Sequence, residues 1–366
     1  MKPLVALHEY GQSAWLDYIR RDMLENGELA KMIGEDGLRG MTSNPSIFQK
    51  AIGESDDYDE ALAELVAEGA ETNEIYEALA IADIQQACDA FASLYEEADG
   101  GDGLVSLEVS PDLANDTEGT IAEAKRLWAT VNRPNLMIKV PATEAGIPAI
   151  RTLIGEGINI NVTLMFNMAH YEAVASAYIE GLEALVAGGG DPRRVASVAS
   201  FFVSRVDAAV DEALEKLGNE KLQGKIAIAN SKVVYQRFKV LFHGERFAEL
   251  KAAGAQPQRL LWASTSTKNP DYPDTLYVDA LIGPETVNTL PPKTLEAFKD
   301  HGTLAATLEK ETAEAAAALA ELDALGIDLT EITEELQTAG VKSFADSFTQ
   351  LMATIDAEQK RLAAAV

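Results

Sequence analysis

The chain of 366 residues is 47% hydrophobic and 7% aromatic, which is enough to build one large domain or two of ordinary size. Its net charge of -29, from 59 acidic and 30 basic residues, disfavours nonspecific binding to nucleic acids or anionic membranes, because the summed field repels phosphate groups. A single cysteine, Cys88, excludes an intrachain disulfide, and the helical pattern around it predicts a small buried side chain.

Short apolar or alternating segments and helical patterns follow one another along the chain. Eight strands are predicted, at residues 14–19, 37–42, 104–109, 136–140, 158–165, 196–203, 259–264 and 276–281. Helical patterns lie between many of them, at residues 58–68, 74–95, 118–131, 146–155, 168–187, 205–217 and 226–250. This alternation favours a parallel sheet of the α/β class, and eight strands is the number that closes a (β/α)8 TIM barrel.

Additional helices are predicted after the barrel. Two further helical patterns, at residues 303–325 and 341–363, make the chain longer than a minimal barrel. We therefore expect a single domain over residues 1–366, with a C-terminal helical extension from about residue 295. An open doubly wound sheet is an alternative, and residues 15–19 of the first predicted strand fit the start of a helix equally well.

Several predicted strands carry polar side chains on one face, whereas strands of a helix-covered parallel sheet are usually apolar throughout. If the apolar faces meet the helices, the polar faces converge inside the barrel, toward the C-terminal strand ends where barrel enzymes place their chemistry. Any one of these residues also fits a hydrogen-bonded core position, but five strands together favour a site. The polar set is Ser106, Glu108, Ser110, Asn159, Asn161, Thr163, Thr42, Asn44, Ser200 and Ser264, and Gly40 shares the face of Thr42 and Asn44.

A lysine interrupts the apolar fourth strand, where Lys139 shares a face with Met137 and Pro141. At its ordinary pKa of about 10.4 a lysine is neutral only about once in 2,500 molecules at pH 7, and burial favours the neutral form. A neutral amine attacks carbonyl carbon, so a lysine in such a strand is suited to imine formation. The alternative is a strand-end lysine whose ammonium reaches water.

Imine chemistry at this lysine needs an acid to expel water and a base to take a hydroxyl proton when the adjacent carbon–carbon bond breaks. Glu108 and Asp17 are the carboxylates on strand-like segments that face the same centre. The amides of Asn44 and Asn161 suit sugar hydroxyls. Arg205, just after the sixth strand, suits a phosphate by its planar guanidinium, and an ion pair with a nearby acid such as Asp207 is an equal alternative.

Sequence blocks in a fixed order carry a family resemblance. They include T-S-N-P-S at residues 42–46 and I-K-V-P-A-T at residues 138–143, which are specific when they occur together. Further blocks lie at residues 11–17, 105–109, 157–166, 200–207, 229–232, 262–269 and 340–344. On these blocks the chain resembles, over nearly its whole length, the transaldolases of the class I aldolase superfamily, specifically the longer type of actinobacteria and cyanobacteria.

The resemblance implies catalytic roles for four residues. Lys139 is the Schiff-base lysine, and Asp17 is the acid/base for carbon–carbon cleavage and formation. Glu108, with Thr163 and a water molecule, relays protons during imine formation and hydrolysis.

The resemblance also implies the substrate contacts. Asn44, Asn161 and Ser200 surround the dihydroxyacetone unit, Thr42 helps to position the site, and Arg205 and Ser264 hold the phosphate. Shorter transaldolases have an arginine two residues beyond the position of Ser264. Here that residue is Ser266, and Lys268 is the candidate replacement, although residues 268–270 also fit a turn.

The implied reaction transfers a dihydroxyacetone unit reversibly from sedoheptulose 7-phosphate to glyceraldehyde 3-phosphate, giving erythrose 4-phosphate and fructose 6-phosphate in the non-oxidative pentose phosphate pathway. Neither a metal nor an organic cofactor is expected, in agreement with scattered histidines and the lack of a glycine-rich nucleotide loop. No apolar leader or run of about 18 apolar residues is present, so a cytoplasmic protein that binds small sugar phosphates is expected. Transaldolases of this type can be joined to a phosphoglucose isomerase domain, so fusion or association with such a domain is an open alternative. The sequence does not predict the oligomeric state.

Two other functions remain open from the sequence. A fructose-6-phosphate or deoxyribose-phosphate-type aldolase would use the same lysine but release the three-carbon unit, although such chains are usually much shorter. A catalytically silent sugar-phosphate-binding barrel would not need Lys139, Glu108 and Asp17 together. Phe344 or Phe348 is expected near the site mouth, shielding the intermediate from water, with ordinary helix-to-barrel packing as the alternative.

Overall fold

The computed structural model describes residues 2–363 and contains a closed barrel of parallel strands. The strands are β1 (Gln12–Asp17), β2 (Gly40–Thr42), β3 (Leu104–Glu108), β4 (Leu136–Pro141), β5 (Ile160–Met165), β6 (Ser197–Phe202), β7 (Arg259–Ala263) and β8 (Thr286–Leu290). Each strand pairs with its sequence neighbours, and β1 also pairs with β8. The predicted (β/α)8 barrel with additional helices is confirmed, and the open-sheet alternative is wrong.

Helices cover the outside of the barrel and one of its ends. They are α1 (Pro3–Glu9), α2 (Arg21–Glu25), α3 (Glu28–Lys31), α4 (Pro45–Gly53), α5 (Asp59–Ala67), α6 (Thr72–Glu97), α7 (Thr117–Val131), α8 (Gly146–Gly155), α9 (Met168–Ala187), α10 (Ser204–Lys216), α11 (Ile226–Phe242), α12 (Glu245–Ala252), α13 (Leu276–Ala280), α14 (Pro292–His301), α15 (Thr312–Ala324) and α16 (Leu329–Ala363). Within the part of the chain that the structure describes, no helix is long and apolar enough to cross a membrane.

Local capping explains where several helices begin after the strands. Asn44, Asp116 and Asn167 each precede a helix, and their side-chain oxygens accept the backbone N–H three residues later, at 2.8 to 3.0 Å. Pro45 adds a φ angle suited to the first helical position of α4. These caps end the loops at the C-terminal side of the barrel and so place the loop residues over its interior.

The predicted eighth strand is wrong. Residues 276–281 contain α13, and β8 lies ten residues further on, where Thr286, Asn288 and Thr289 make the segment look polar. In a short apolar segment the spacing of apolar residues does not distinguish a strand from a helix. The apolar segment at residues 276–281 therefore fits a buried strand better by sequence than the more polar segment that forms β8. The doubtful first strand is a strand, and the predicted helix at residues 226–250 is broken at Gly244 into α11 and α12.

A polar cluster closes the N-terminal end of the barrel. Asp102 accepts hydrogen bonds from Arg39 Nε at 2.6 Å, Ser13 Oγ at 2.8 Å and Arg259 Nη2 at 3.1 Å. Above this cluster the Trp15 indole fills the interior, and a Cβ atom on Gly40 would lie 2.5 Å from it, so β2 needs a glycine there. The lower half of the barrel is therefore filled, and the open space lies at the C-terminal strand ends.

Helix α16 lies against those strand ends and packs on α4, α5, α6 and α10. The Gln337 side-chain amide donates to the carbonyls of Ala142 at 2.9 Å and Leu164 at 3.0 Å, which follow β4 and lie in β5. Leu164 has a φ of 61°, and the register of β5 against β6 shifts around it. The helix thus supplies hydrogen bonds to an irregular part of the barrel rim.

Candidate active site

Lys139 lies between two polar residues of neighbouring strands. In the register of the sheet its direct neighbours are Glu108 on β3 and Asn161 on β5. Its Nζ atom is 3.0 Å from Glu108 Oε2 and donates to the carbonyl of Ser43 at 3.1 Å. The residue is only 5% exposed, so the alternative of a strand-end lysine that reaches water is wrong.

Two carboxyl groups lie near this lysine in a buried environment. Burial raises the pKa of Glu108 and the charge of Asp17 raises it further, while Lys139 acts in the opposite direction. Burial likewise raises the pKa of Asp17, opposed by Lys139 and by the hydrogen bond from Thr42. A carboxyl group with a raised pKa can exchange a proton closer to neutral pH, as general acid/base chemistry requires.

Hydrogen bonds fix the polar side chains around the lysine. Thr42 Oγ1 lies 2.7 Å from both Asp17 Oδ1 and the Thr289 hydroxyl. On the other side, Ser200 Oγ donates to Asn161 Oδ1 at 2.6 Å. Asn161 Nδ2 donates to Ser106 Oγ at 3.0 Å, which fixes the orientation of the amide.

Thr163 and Asn44 present polar groups to the same space. The Thr163 hydroxyl is buried and finds no hydrogen-bond partner within residues 2–363. A buried orphan hydroxyl is costly unless water or a ligand satisfies it, so this one is suited to bind either. Asn44 uses Oδ1 to cap α4, which leaves its amide hydrogens as donors.

A cavity of about 320 Å³, here called the front cavity, is lined both by Asp17 and Thr42 and by Lys139 and Ser200. Phe344 from α16 also lines it. Glu108 and Asn161 stand directly behind it through their bonds to Lys139 and Ser200. The predicted site residues that line the front cavity are Asp17, Thr42, Asn44, Lys139, Thr163, Ser200, Arg205, Ser264 and Lys268.

Unpaired positive charge marks one end of the front cavity. Arg205 makes no ion pair with any residue that the structure describes, and its guanidinium carbon lies 5.4 Å from the centre of the Phe202 ring. Asp207 instead accepts from Ala227 N at 2.7 Å and Tyr277 Oη at 2.9 Å, so the alternative ion pair with Arg205 is wrong. A half-buried cation without a carboxylate partner is suited to an anionic ligand.

Lys268 adds a second cation at this end. Its Nζ donates to Ser266 Oγ at 3.0 Å, and burial followed by the charge of Arg205 lowers its pKa. Ser264 has a φ of 55° and its hydroxyl lies 2.9 Å from that of Ser204. The residues that follow β7 therefore line the front cavity together with Arg205.

The sequence did not single out Ser106, Thr289 or Lys50. Ser106 belongs to a predicted polar face but has no predicted role of its own, and Thr289 lies on β8, outside the predicted eighth strand. Lys50 lies on α4, outside any strand pattern, yet it lines the front cavity. Only the strand register and the fold of the α4 loop bring these residues to the site.

Phe344 lies close to Lys139. The centre of its ring is 5.5 Å from Lys139 Nζ, while Phe348 packs on Tyr76 with ring centres 5.3 Å apart. The expectation that one of the two rings lies near the site mouth is met by Phe344. Its shielding role remains a prediction.

A buried lysine beside a carboxylate, a second carboxylate across the cavity and a cationic end are typical of barrel enzymes that form imines with phosphorylated carbonyl compounds. Within residues 2–363 no group of three or more His, Cys, Asp or Glu side chains is arranged to hold a metal ion. Fold and site thus indicate an aldolase-like class.

Comparison with known proteins gives the family. A family model described as "Transaldolase/Fructose-6-phosphate aldolase" matches residues 14–355, and the chain belongs to this family. A transaldolase of Thiobacillus denitrificans is 53% identical over 348 residues, covering 94% of this chain and 97% of the relative. Transaldolases of Parafrankia sp. and Trichodesmium erythraeum are 50% and 46% identical, with 97% and 98% of each chain covered. The resemblance drawn from the sequence is confirmed.

Proposed function

We propose that this protein is a transaldolase that moves a dihydroxyacetone unit between sugar phosphates through an imine on Lys139. The donor is sedoheptulose 7-phosphate and the acceptor glyceraldehyde 3-phosphate, with erythrose 4-phosphate and fructose 6-phosphate as products. The observation that carries the proposal is the buried pair of Lys139 Nζ and Glu108 Oε2 at 3.0 Å, at the base of a cavity with a cationic far end. The full-length relatives named transaldolase support it.

Imine formation uses the lysine and the glutamate together. Glu108 takes a proton from Nζ, and the free amine attacks the C2 carbonyl to give a carbinolamine. Glu108 then returns the proton to the C2 hydroxyl, the C–O bond breaks, and one water molecule leaves as the nitrogen lone pair forms the iminium. The Thr163 hydroxyl, which lacks a protein partner, is placed in this scheme to bind that water.

Carbon–carbon cleavage uses Asp17 as the base. Asp17 takes the proton of the C4 hydroxyl, the C3–C4 electron pair moves to the iminium, and the aldehyde product leaves an enamine on Lys139. The same steps in reverse join the enamine to the acceptor, and Asp17 then returns the proton. The hydrogen bond from Thr42 at 2.7 Å holds the carboxyl group in place between these steps.

The two ends of the cavity divide the binding of the substrate. Asn44, Asn161 and Ser200 would bind the hydroxyls of the dihydroxyacetone unit near the lysine. Arg205, Ser264 and Lys268 would bind the phosphate, with Lys268 in place of the arginine of shorter family members.

The alternative within the family is an aldolase that releases the three-carbon unit. Transfer is favoured here because Phe344 of α16 lies over the lysine, where it limits access of water to the enamine. We further propose that residues 1–366 act as one catalytic domain in the cytoplasm. A native fusion or association with a phosphoglucose isomerase domain is compatible with this assignment.

Borohydride trapping tests the central assignment. Reduction of the enzyme in the presence of fructose 6-phosphate is expected to add a dihydroxyacetone-derived group to Lys139, which peptide mapping locates. Lys139→Met should give no adduct, and Lys232→Met should give the full amount, because Lys232 is also buried but bonds to the Lys310 carbonyl away from the cavity. No adduct, or an adduct on Lys232 or Lys268, would overturn the proposal. Assays with and without an aldehyde acceptor separate transferase from aldolase.

A further inference from the structure

A second cavity lies behind Glu108. This rear cavity, of about 210 Å³, is formed between α6, α7, α16 and the residues that follow β3. Its inner end is lined by Leu107, Glu108 and Val109, which are buried. Its outer rim carries Asn73, Asp112 and Arg126, which are exposed, so the cavity opens to solvent. It therefore runs from the surface to the position of Glu108.

Glu108 separates the rear cavity from the front cavity. Glu108 lines the rear cavity and not the front one, whereas Lys139 lines the front cavity and not the rear one. Tyr76, another lining residue of the rear cavity, has a pKa raised by burial and then by the charge of Glu108, which places the carboxylate near that phenol. The ion pair of Lys139 Nζ and Glu108 Oε2, 3.0 Å apart, thus joins a residue of the front cavity to a residue of the rear cavity.

The lining of the rear cavity is suited to water. Glu123 Oε1 accepts the backbone N–H of Ser110 at 2.7 Å, and burial raises the pKa of this glutamate. Arg126 forms a two-bond ion pair with Glu77 at 2.6 and 2.7 Å beside the rim. A polar cavity of this volume holds several water molecules, since one needs only about 10 to 15 Å³.

The proposed chemistry creates a need for such a space. Each imine that forms releases one water molecule beside Glu108, and each imine that is hydrolysed takes one up. The front cavity is then filled by the sugar phosphate and bordered by Phe344, so water leaving that way must pass the substrate. Glu108 is the group that protonates the departing hydroxyl and it faces the rear cavity.

We propose that the rear cavity is the route by which water leaves and returns to the imine at Lys139. The water formed at C2, held first by the Thr163 hydroxyl in the front cavity, passes Glu108 into the space lined by Tyr76, Ser110 and Glu123, and hydrolysis uses the same route inward. The lysine ammonium supplies the proton that leaves with the hydroxyl, so no proton needs to cross the cavity. This inference rests on the proposed imine mechanism.

The rate of oxygen exchange measures how fast water leaves and returns along this route. In water enriched in oxygen-18, the C2 oxygen of fructose 6-phosphate exchanges each time an imine forms and is hydrolysed, after subtraction of the enzyme-free rate. Asn73→Trp places an indole at the exposed rim and is expected to slow the exchange about tenfold. The fraction of enzyme trapped by borohydride at equilibrium should not change, because formation and hydrolysis are slowed together.

Two matched variants make the test specific. Gln86→Trp puts the same side chain on an exposed part of α6 that does not line the cavity, and it should exchange at the native rate. Arg126→Ala removes bulk from the rim and should exchange at least as fast as the native enzyme. Equal rates in Asn73→Trp and Gln86→Trp, or equal slowing in Asn73→Trp and Arg126→Ala, would overturn the inference. Failure of the native enzyme to form any adduct on Lys139 would instead refute the proposed function.

Discussion

At the scale of single residues, the ion pair of Glu108 and Lys139 leads to a prediction about the rate of imine formation. Glu108→Gln keeps the size of the side chain but removes the carboxylate that we propose exchanges a proton with Nζ, so imine formation should slow by about 10² to 10⁴-fold. Rapid borohydride quenching of a single turnover measures this rate. Glu118→Gln, an exposed change on α7, is the control.

The pH dependence of the same step should follow Glu108. Because burial raises the pKa of this carboxyl group above the ordinary 4.5, its protonation should inhibit imine formation at a pH above 4.5. As the pH is lowered, the rate of imine formation should therefore begin to decline at a higher pH than it would with an ordinary glutamate. This decline at low pH should be absent in Glu108→Gln. A native profile that is flat down to pH 4.5 would contradict this role.

The cationic end of the front cavity gives a second residue-scale prediction. Lys268→Met should raise the KM for fructose 6-phosphate about tenfold with little change in kcat, because the proposed contact of Lys268 with the phosphate would be made equally in the ground state and transition state. Lys50→Met should have a smaller effect, since Lys268 lies near Arg205, and burial and then the charge of Arg205 lower the pKa of Lys268, whereas Lys50 lies on α4. The KM for an unphosphorylated donor should not change. Lys342→Met, exposed on α16 and paired with Asp346, is the control.

At the scale of elements, α16 is predicted to decide between transfer and release. Phe344→Leu should open a path for water to the enamine and increase donor cleavage without an acceptor several-fold, while transfer falls. Coupled assays with and without glyceraldehyde 3-phosphate measure the ratio. Val341→Ala removes apolar surface from the same helix without lining the front cavity, so it should leave the ratio unchanged. An unchanged ratio in Phe344→Leu would mean that its ring serves packing alone.

Local sequence patterns predicted most helices and strands, because apolar residues recur at a different spacing in each of the two kinds of element. Helices α8 and α9 were placed at their observed bounds, and the polar alternation of β3 and β5 did point into the barrel. The prediction of the eighth strand was wrong because β8 contains polar Thr286 and Asn288. Such residues are acceptable inside a closed barrel, but the local sequence does not resemble that of a buried strand. The start of α16 was placed twelve residues late, since residues 329–340 are largely polar on the surface of the helix.

At the scale of the whole molecule, the sequence could name reactive residues but not their distances. The lysine, both carboxylates and the amides were predicted from strand faces and family blocks, and barrel closure explains why they meet. Contacts across the ring, such as Thr42 with Thr289, depend on the register between the first and last strands, which no local pattern contains. The rear cavity likewise depends on how α6, α7 and α16 pack, so it was not foreseen.

The polar cluster of Asp102 and the candidate active site lie at opposite ends of the barrel, as is usual for enzymes of this fold. Asp102 is buried, which alone raises its pKa, but Arg259 and Arg39 bring the pKa below its ordinary value of 3.8. The folded protein then binds fewer protons at this group than the unfolded chain does. Its contribution to stability is therefore complete above about pH 4 and is lost as the pH falls through the folded pKa.

Asp102→Asn should accordingly lower the free energy of unfolding at pH 7 by about 3 to 5 kcal/mol, because two partly buried guanidinium groups lose their buried carboxylate partner. The difference from the native protein should shrink below about pH 4, as urea unfolding at several pH values would reveal. The folded variant should keep its native kcat, since the cluster lies at the opposite end of the barrel from Lys139. Asp99→Asn, an exposed change in the same loop with a φ of 49° that asparagine tolerates, should alter stability by less than about 0.5 kcal/mol. A large loss of kcat in Asp102→Asn without loss of stability would show that the two ends of the barrel are coupled.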